Sequence, residues 1–119
     1  MTVNIAGLTT VHGKTNTDEI ISSNATTLVS CGSNKVVKVN SIIVSNIDGS
    51  NSAEVSVVYE KDGDSTDYYL AKSISVPPKT TLVVLSKDTQ LYLEDGDSIV
   101  AQASADNDLQ AITSYEEIS

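Results

Sequence analysis

KVVKVNSIIVSNI, residues 35–47, decides how the rest of the chain is read. Val37 and Val39 share one face at period two, while Ile42 and Val44 fall in the opposite phase. β-branched side chains at that period mark a strand. A single slip of phase inside such a run predicts a β-bulge near Asn40 and Ser41, or a stretch buried on both faces.

Downstream, Asp48-Gly49-Ser50-Asn51 is a turn, and residues 53–60 alternate cleanly. Val55, Val57 and Tyr59 face one way, and Glu54, Ser56 and Glu60 the other. Two strand runs around a short turn predict a hairpin. Lys61-Asp62-Gly63-Asp64-Ser65 is the next turn, followed by a strand over residues 66–76. Pro77-Pro78 ends that strand, because proline cannot donate to a ladder. Residues 80–85 and 90–93 read as short strands around a Lys87-Asp88 turn. Glu94-Asp95-Gly96-Asp97 leads into residues 98–104, where Ile99, Ala101 and Ala103 share a face. Asp106-Asn107-Asp108 leads into residues 109–118, with Leu109, Ala111, Thr113 and Tyr115 aligned.

Upstream, regular strand signals begin at Thr26. Residues 1–25 read as an N-terminal arm with one short strand around 3–11, or as the ordinary first strand of the same domain. No segment carries a 3.6-residue period. Strand runs recurring every 8–12 residues or so predict an all-β domain over residues 26–119. The expected architecture is an antiparallel two-sheet β-sandwich of about seven to nine strands, with the jelly roll among the arrangements that fit.

The chain has 119 residues, of which 39% are hydrophobic, and its aromatics are five tyrosines. Its core must be built from small branched side chains, each contributing about 1.5–3 kcal/mol on full burial. Such a core gains from self-association or a partner surface, so a homo-oligomer is expected. The net charge of −9 and pI near 4.2 disfavour nucleic acid and anionic membranes. Cys31 has no second cysteine to pair with. The N-terminus lacks a basic segment leading into an apolar run, and no run reaches the ~18 apolar residues of a membrane helix. The expected site of synthesis is therefore a cytoplasm.

Catalysis needs convergent groups with tuned protonation states. His12 is the only histidine, Cys31 the only cysteine, and arginine is absent. Zinc would find too few nitrogen and sulfur ligands. Asp62, Asp64 and Asp67, then Glu94, Asp95 and Asp97, then Asp106 and Asp108, are the oxygen clusters a calcium ion would use. Each sits where turn chemistry already demands Asp, Asn and Gly. Paired carboxylates for glycoside cleavage would want an aromatic-lined groove, and only Tyr59, Tyr68, Tyr69, Tyr92 and Tyr115 are on hand. The reading is of a non-enzyme with no catalytic residue, no metal and no cofactor.

What remains is adhesion. One of the adjacent Tyr68 and Tyr69 must face outward from its strand, and an exposed tyrosine anchors interfaces well. The candidate interface residues are Val3, Ile5, Leu8 and Val11 of the arm, Tyr68 and Tyr69, and the acidic loops. An extended arm would act by adding a strand to a neighbouring sheet edge. Lys35, Lys38 and Lys72 are placed to blunt edges against aggregation.

The segments KVVKVNSIIVSNIDGSNSAEVSVVYE (35–60), SISVPPKTTLVVL (73–85) and LYLEDGDSIVAQASADNDLQAITSYEEI (91–118) together carry a resemblance. With TTLVSCGSNKVVKVN before them, they resemble small virion structural proteins of tailed bacteriophages, especially marine phages and phages of cyanobacteria. The likeness spans about the last three quarters of the chain and consists of strands and turns, so it transfers no site residue. It implies a β-sandwich carried on a virion in many copies, bound to coat or other virion proteins, and made in the host cytoplasm. The resemblance leaves head, neck or tail placement open, and capsid decoration or cement is the role this reading expects first. A neck, tail or fibre-associated structural protein, or a receptor- or glycan-binding module, is the alternative. Residues 1–25 match least well, and attachment specificity is expected there.

Overall fold

The period-two runs form nine strands in a computed structural model that describes residues 4–119. They are β1 (Val11–Ile20), β2 (Thr26–Ser30), β3 (Val36–Asn46), β4 (Ala53–Glu60), β5 (Asp67–Val76), β6 (Thr81–Leu85), β7 (Leu91–Leu93), β8 (Ser98–Ala103) and β9 (Leu109–Ile118). One sheet has the order β1-β9-β3-β6, with β7 also on β3. The other runs β2-β8-β4-β5. All pairings are antiparallel. Apart from β4–β5 and β6–β7, consecutive strands lie in different sheets, and this interleaving is the jelly-roll order. β6 and β7 divide one strand position, separated by a 3-10 turn at Lys87–Thr89 that Ser86 caps.

The phase slip in residues 35–47 is a bulge. The β3–β9 register shifts between Val39 and Ser41, so Asn40 is the extra residue. Val37, Val39, Ile42 and Val44 consequently all face inward and are fully buried. On the opposite flank of β3 the partner changes at the same place, from β7 beside residues 37–39 to β6 beside residues 42–45. A second bulge, at Leu28 on β2, lets Leu28 and Val29 both join the core. Asn16 of β1 donates its side-chain amide to Leu28 O at 2.9 Å, so a polar residue of one sheet serves a carbonyl of the other.

The expected hairpin and the expected first strand are both corrected. Residues 35–47 and 53–60 do not form a hairpin: β3 pairs with β9, β6 and β7, and β4 with β5 and β8. The Asp48 turn instead carries the chain between sheets. Buried Asn46 organises the crossing, donating to Val76 O and Asn51 O and accepting from Asp48 N, each at 2.9 Å. The first strand lies at residues 11–20 rather than around 3–11. Residues 5–7 make a 3-10 turn whose start is capped by Asn4, and Thr9 and Thr10 then bond Ser119.

The two long edges differ. β1 pairs with β9 over ten residues without a register shift. β5 shifts register twice against β4 and contains Ser73 at φ 49°, which twists that edge away from easy pairing. Lys72 sits on this edge, whereas Lys38 stands on central β3 and Lys35 just precedes it.

Candidate interaction surface

Among the described residues, no three His, Cys, Asp or Glu side chains come together as a metal site. His12 lies exposed on β1, and Cys31 is buried in the core. The acidic turns have a structural occupation. Asp97, 1% exposed, accepts from Asp62 N at 2.9 Å, Glu94 N at 3.0 Å, Tyr59 Oη at 2.5 Å and Lys61 Nζ at 3.1 Å. Lys61 also pairs with Glu94. Burial pushes the Asp97 carboxyl upward, but these donors outweigh it and hold the group below the usual carboxylate range. Burial first, then the bond to Asp97, drives the Tyr59 phenol well above its ordinary value, so it remains a donor. Asp48, Asp64 and Asp106 likewise cap neighbouring backbone N–H groups.

Of the arm residues singled out by sequence, Val3 lies outside the described residues. Ile5 and Val11 are 43% and 59% exposed, and Leu8 is half-buried. Tyr68 and Tyr69 are both about half exposed and face opposite ways. Tyr68 lies opposite Tyr59 on the inner side, its hydroxyl donating to Asp64 Oδ2 at 2.9 Å. Tyr69 lies opposite Val58 on the outer face. The pair therefore does not make one flat platform. The structure does not bring the arm and the tyrosines together: the arm leads into β1, and the tyrosines stand on β5.

Sequence reasoning missed a feature of the β1-β9-β3-β6 sheet. Ile112, Ile43 and Val83 are direct cross-strand partners on β9, β3 and β6. All three point away from the core, and Ile112 and Val83 are 42% and 58% exposed. Sandwich strands ordinarily carry polar residues there. Tyr92, also half exposed, stands beside Lys38 two rungs along the same face. The bulge signals only one member: once Asn40 resets the phase, Ile43 must face outward, whereas its alignment with Ile112 and Val83 comes from the registers of β9 and β6.

No family model matches the chain, and no curated protein does. A solved structure described as "Bacillus endospore appendages form a novel family of disulfide-linked pili" superposes with a TM-score of 0.54. The match covers 92% of this chain and 88% of that one at 12% sequence identity. At that identity the likeness concerns the fold.

Proposed function

We propose that this chain is a non-enzymatic structural protein displayed in many copies on a tailed-phage particle, as a capsid decoration or cement protein bound to coat protein. The observation that carries the reading is the apolar row Ile112–Ile43–Val83, in register across three strands on a face that solvent alone does not call for. Exposed apolar residues gathered in a patch mark association surfaces. The resemblance of the sequence to phage virion proteins supports the choice of particle, and the jelly roll is a frequent fold of particle proteins. Cementing would work by repetition. A standard interface of about 1,600 Å² at each joint holds a shell without any single strong contact.

A fibre or tail subunit is the second reading, favoured by the uninterrupted β1 edge and by the fold likeness to a pilus protein. Linkage by disulfides into a chain would need two thiols per copy, and this sequence has the single buried Cys31. Fibre growth would therefore run without a disulfide chain, by strand addition.

Particles purified with and without the protein test the proposal. Loss of the protein should lower their resistance to heat and chelator, and its copy number should run to hundreds per particle, on the order expected of repeated low-affinity joints. Unchanged resistance overturns cementing, and a handful of copies moves the protein to the neck or tail.

A further inference from the structure

The outer face of the β2-β8-β4-β5 sheet holds a groove of about 320 Å³. Its floor is two pairs across β4 and β8: Val58 and Val100, which are 9% and 8% exposed although they face away from the core, and next to them the polar Ser56 and Gln102. Tyr69 forms a wall beside Val58. Glu54 and Glu60 lie on the same face of β4, about 20 Å apart along the strand at its usual rise. Asp67 is the direct cross-strand partner of Glu60.

That last pairing is costly, because like charges directly opposed in an antiparallel pair destabilise it. Glu54, Glu60 and Asp67 take part in no ion pair among the described residues. No basic residue lines the groove. Lys72, on β5, is seated over the Tyr69 ring, its Nζ 4.9 Å from the centroid. The groove thus has one apolar and one polar pair along its floor, is negative at both ends, and is bounded by a ring against which Lys72 already packs.

We propose that this groove docks an extended, Lys- or Arg-bearing segment of a partner polypeptide. One cation sits between Glu60 and Asp67, relieving their repulsion, and a second meets Glu54. Of the two small side chains between them on that face, one lies over Val58 and Val100 and the other over Ser56 and Gln102. Two cations six residues apart in an extended segment match the Glu54–Glu60 spacing, since both chains rise about 3.3 Å per residue. A neutral glycan fits less well. It would leave the carboxylates unneutralised, and it would find one tyrosine ring, because Tyr68 faces the other way. The site does not depend on which particle, if any, carries the protein.

The test is calorimetric titration of the full chain with the probe peptide acetyl-KSVSVSK-amide at about 20 and 200 mM salt, where screening differs strongly. Binding should be measurable at the lower salt and weaken at the higher. Combining Glu54→Gln, Glu60→Gln and Asp67→Asn should weaken it about tenfold, as expected from several solvent-exposed pairs. The equal charge change at Glu19→Gln, Asp88→Asn and Glu116→Gln should leave it nearly unchanged. Urea midpoints of both variants establish that they fold. Failure of the wild type to bind, equal weakening in both variants, or displacement of the peptide by a neutral hexaose overturns the proposal. Because no particle is involved, these outcomes are separate from those of the cementing experiment.

Discussion

Tyr59 donates its hydroxyl to Asp97 Oδ2 at 2.5 Å, joining the end of β4 to the turn that opens β8. The same carboxylate accepts from Asp62 N and Glu94 N, so both Asp-Gly turns hang on one buried group. Losing it strands several donors, and each buried unsatisfied group is costly. Asp97→Ala should therefore destabilise the fold by about 3–4 kcal/mol, whereas Tyr59→Phe, which leaves the other donors in place, should cost about 1 kcal/mol. Urea unfolding of the two variants checks the ordering.

The same site sets an acid limit. Its donors hold the folded Asp97 carboxyl below its ordinary value against the opposing push of burial. On acidification the unfolded chain takes up the proton first, so ionised Asp97 favours the folded state. That stabilisation is complete above the ordinary aspartate value of about 3.9 and is lost as pH falls through the depressed folded value. Asp18, raised by burial, works in the opposite sense. Urea midpoints measured from neutral pH down to about 2.5 should fall steeply at the acid end in the wild type and less steeply in Asp97→Asn.

Gly96 faces two demands at once. Its φ of +87° lies in the region that favours glycine, and an added Cβ would stand 2.5 Å from Asp62 Cγ. Gly63 has a similar φ of +76° but open space around it. Gly63→Ala should cost about 1–2 kcal/mol from the backbone alone. Gly96→Ala should cost more, because Asp62 must move while its N–H stays bound to Asp97. Equal losses in thermal or urea unfolding would show that the contact gives way freely.

Thr113 is fully buried on the inner face of β9, and its hydroxyl finds no partner among the described residues. An unsatisfied hydroxyl in an apolar core carries a desolvation penalty that a methyl group does not. Thr113→Val keeps the shape and the β-branch and should raise stability by about 1 kcal/mol. A lower urea midpoint in the variant would mean that the hydroxyl is served in solution.

Most of the sheet was legible where burial imposed period two. Val55, Val57 and Tyr59 against Glu54, Ser56 and Glu60, the face of β9, and the bulge at Asn40 all follow from alternation and its one slip. β1 was misplaced because its inward positions near the sandwich mouth are Lys14, Asn16 and Asp18, which give no apolar signal. They are polar for tertiary reasons: Asn16 serves the Leu28 carbonyl, and Lys14 pairs with Glu117 at 3.3 Å. The β3–β4 crossing was hidden because the Asp48 turn has hairpin chemistry, while the partners that occupy both flanks of β3 come from much later in the chain. The apolar outer row was unreadable for a related reason. Ile43, Val83 and Ile112 stand far apart in sequence, and only the registers of β6 and β9 on β3 align them.

That row separates folding from association. Val83 and Ile112 are largely outside the core, and threonine keeps the β-branch and the strand preference at both positions. Val83→Thr and Ile112→Thr together should leave the urea midpoint of the isolated chain almost unchanged, within about 0.5 kcal/mol per site for surface positions. On particles the effect should be large. An interface core loses apolar contact at two points, one on either side of Ile43, and each joint repeats the loss. Occupancy, read by quantitative gel analysis of purified particles, should fall sharply at wild-type protein levels. Full occupancy by the double variant would place the contact on another face, with the β1 edge the next surface to alter.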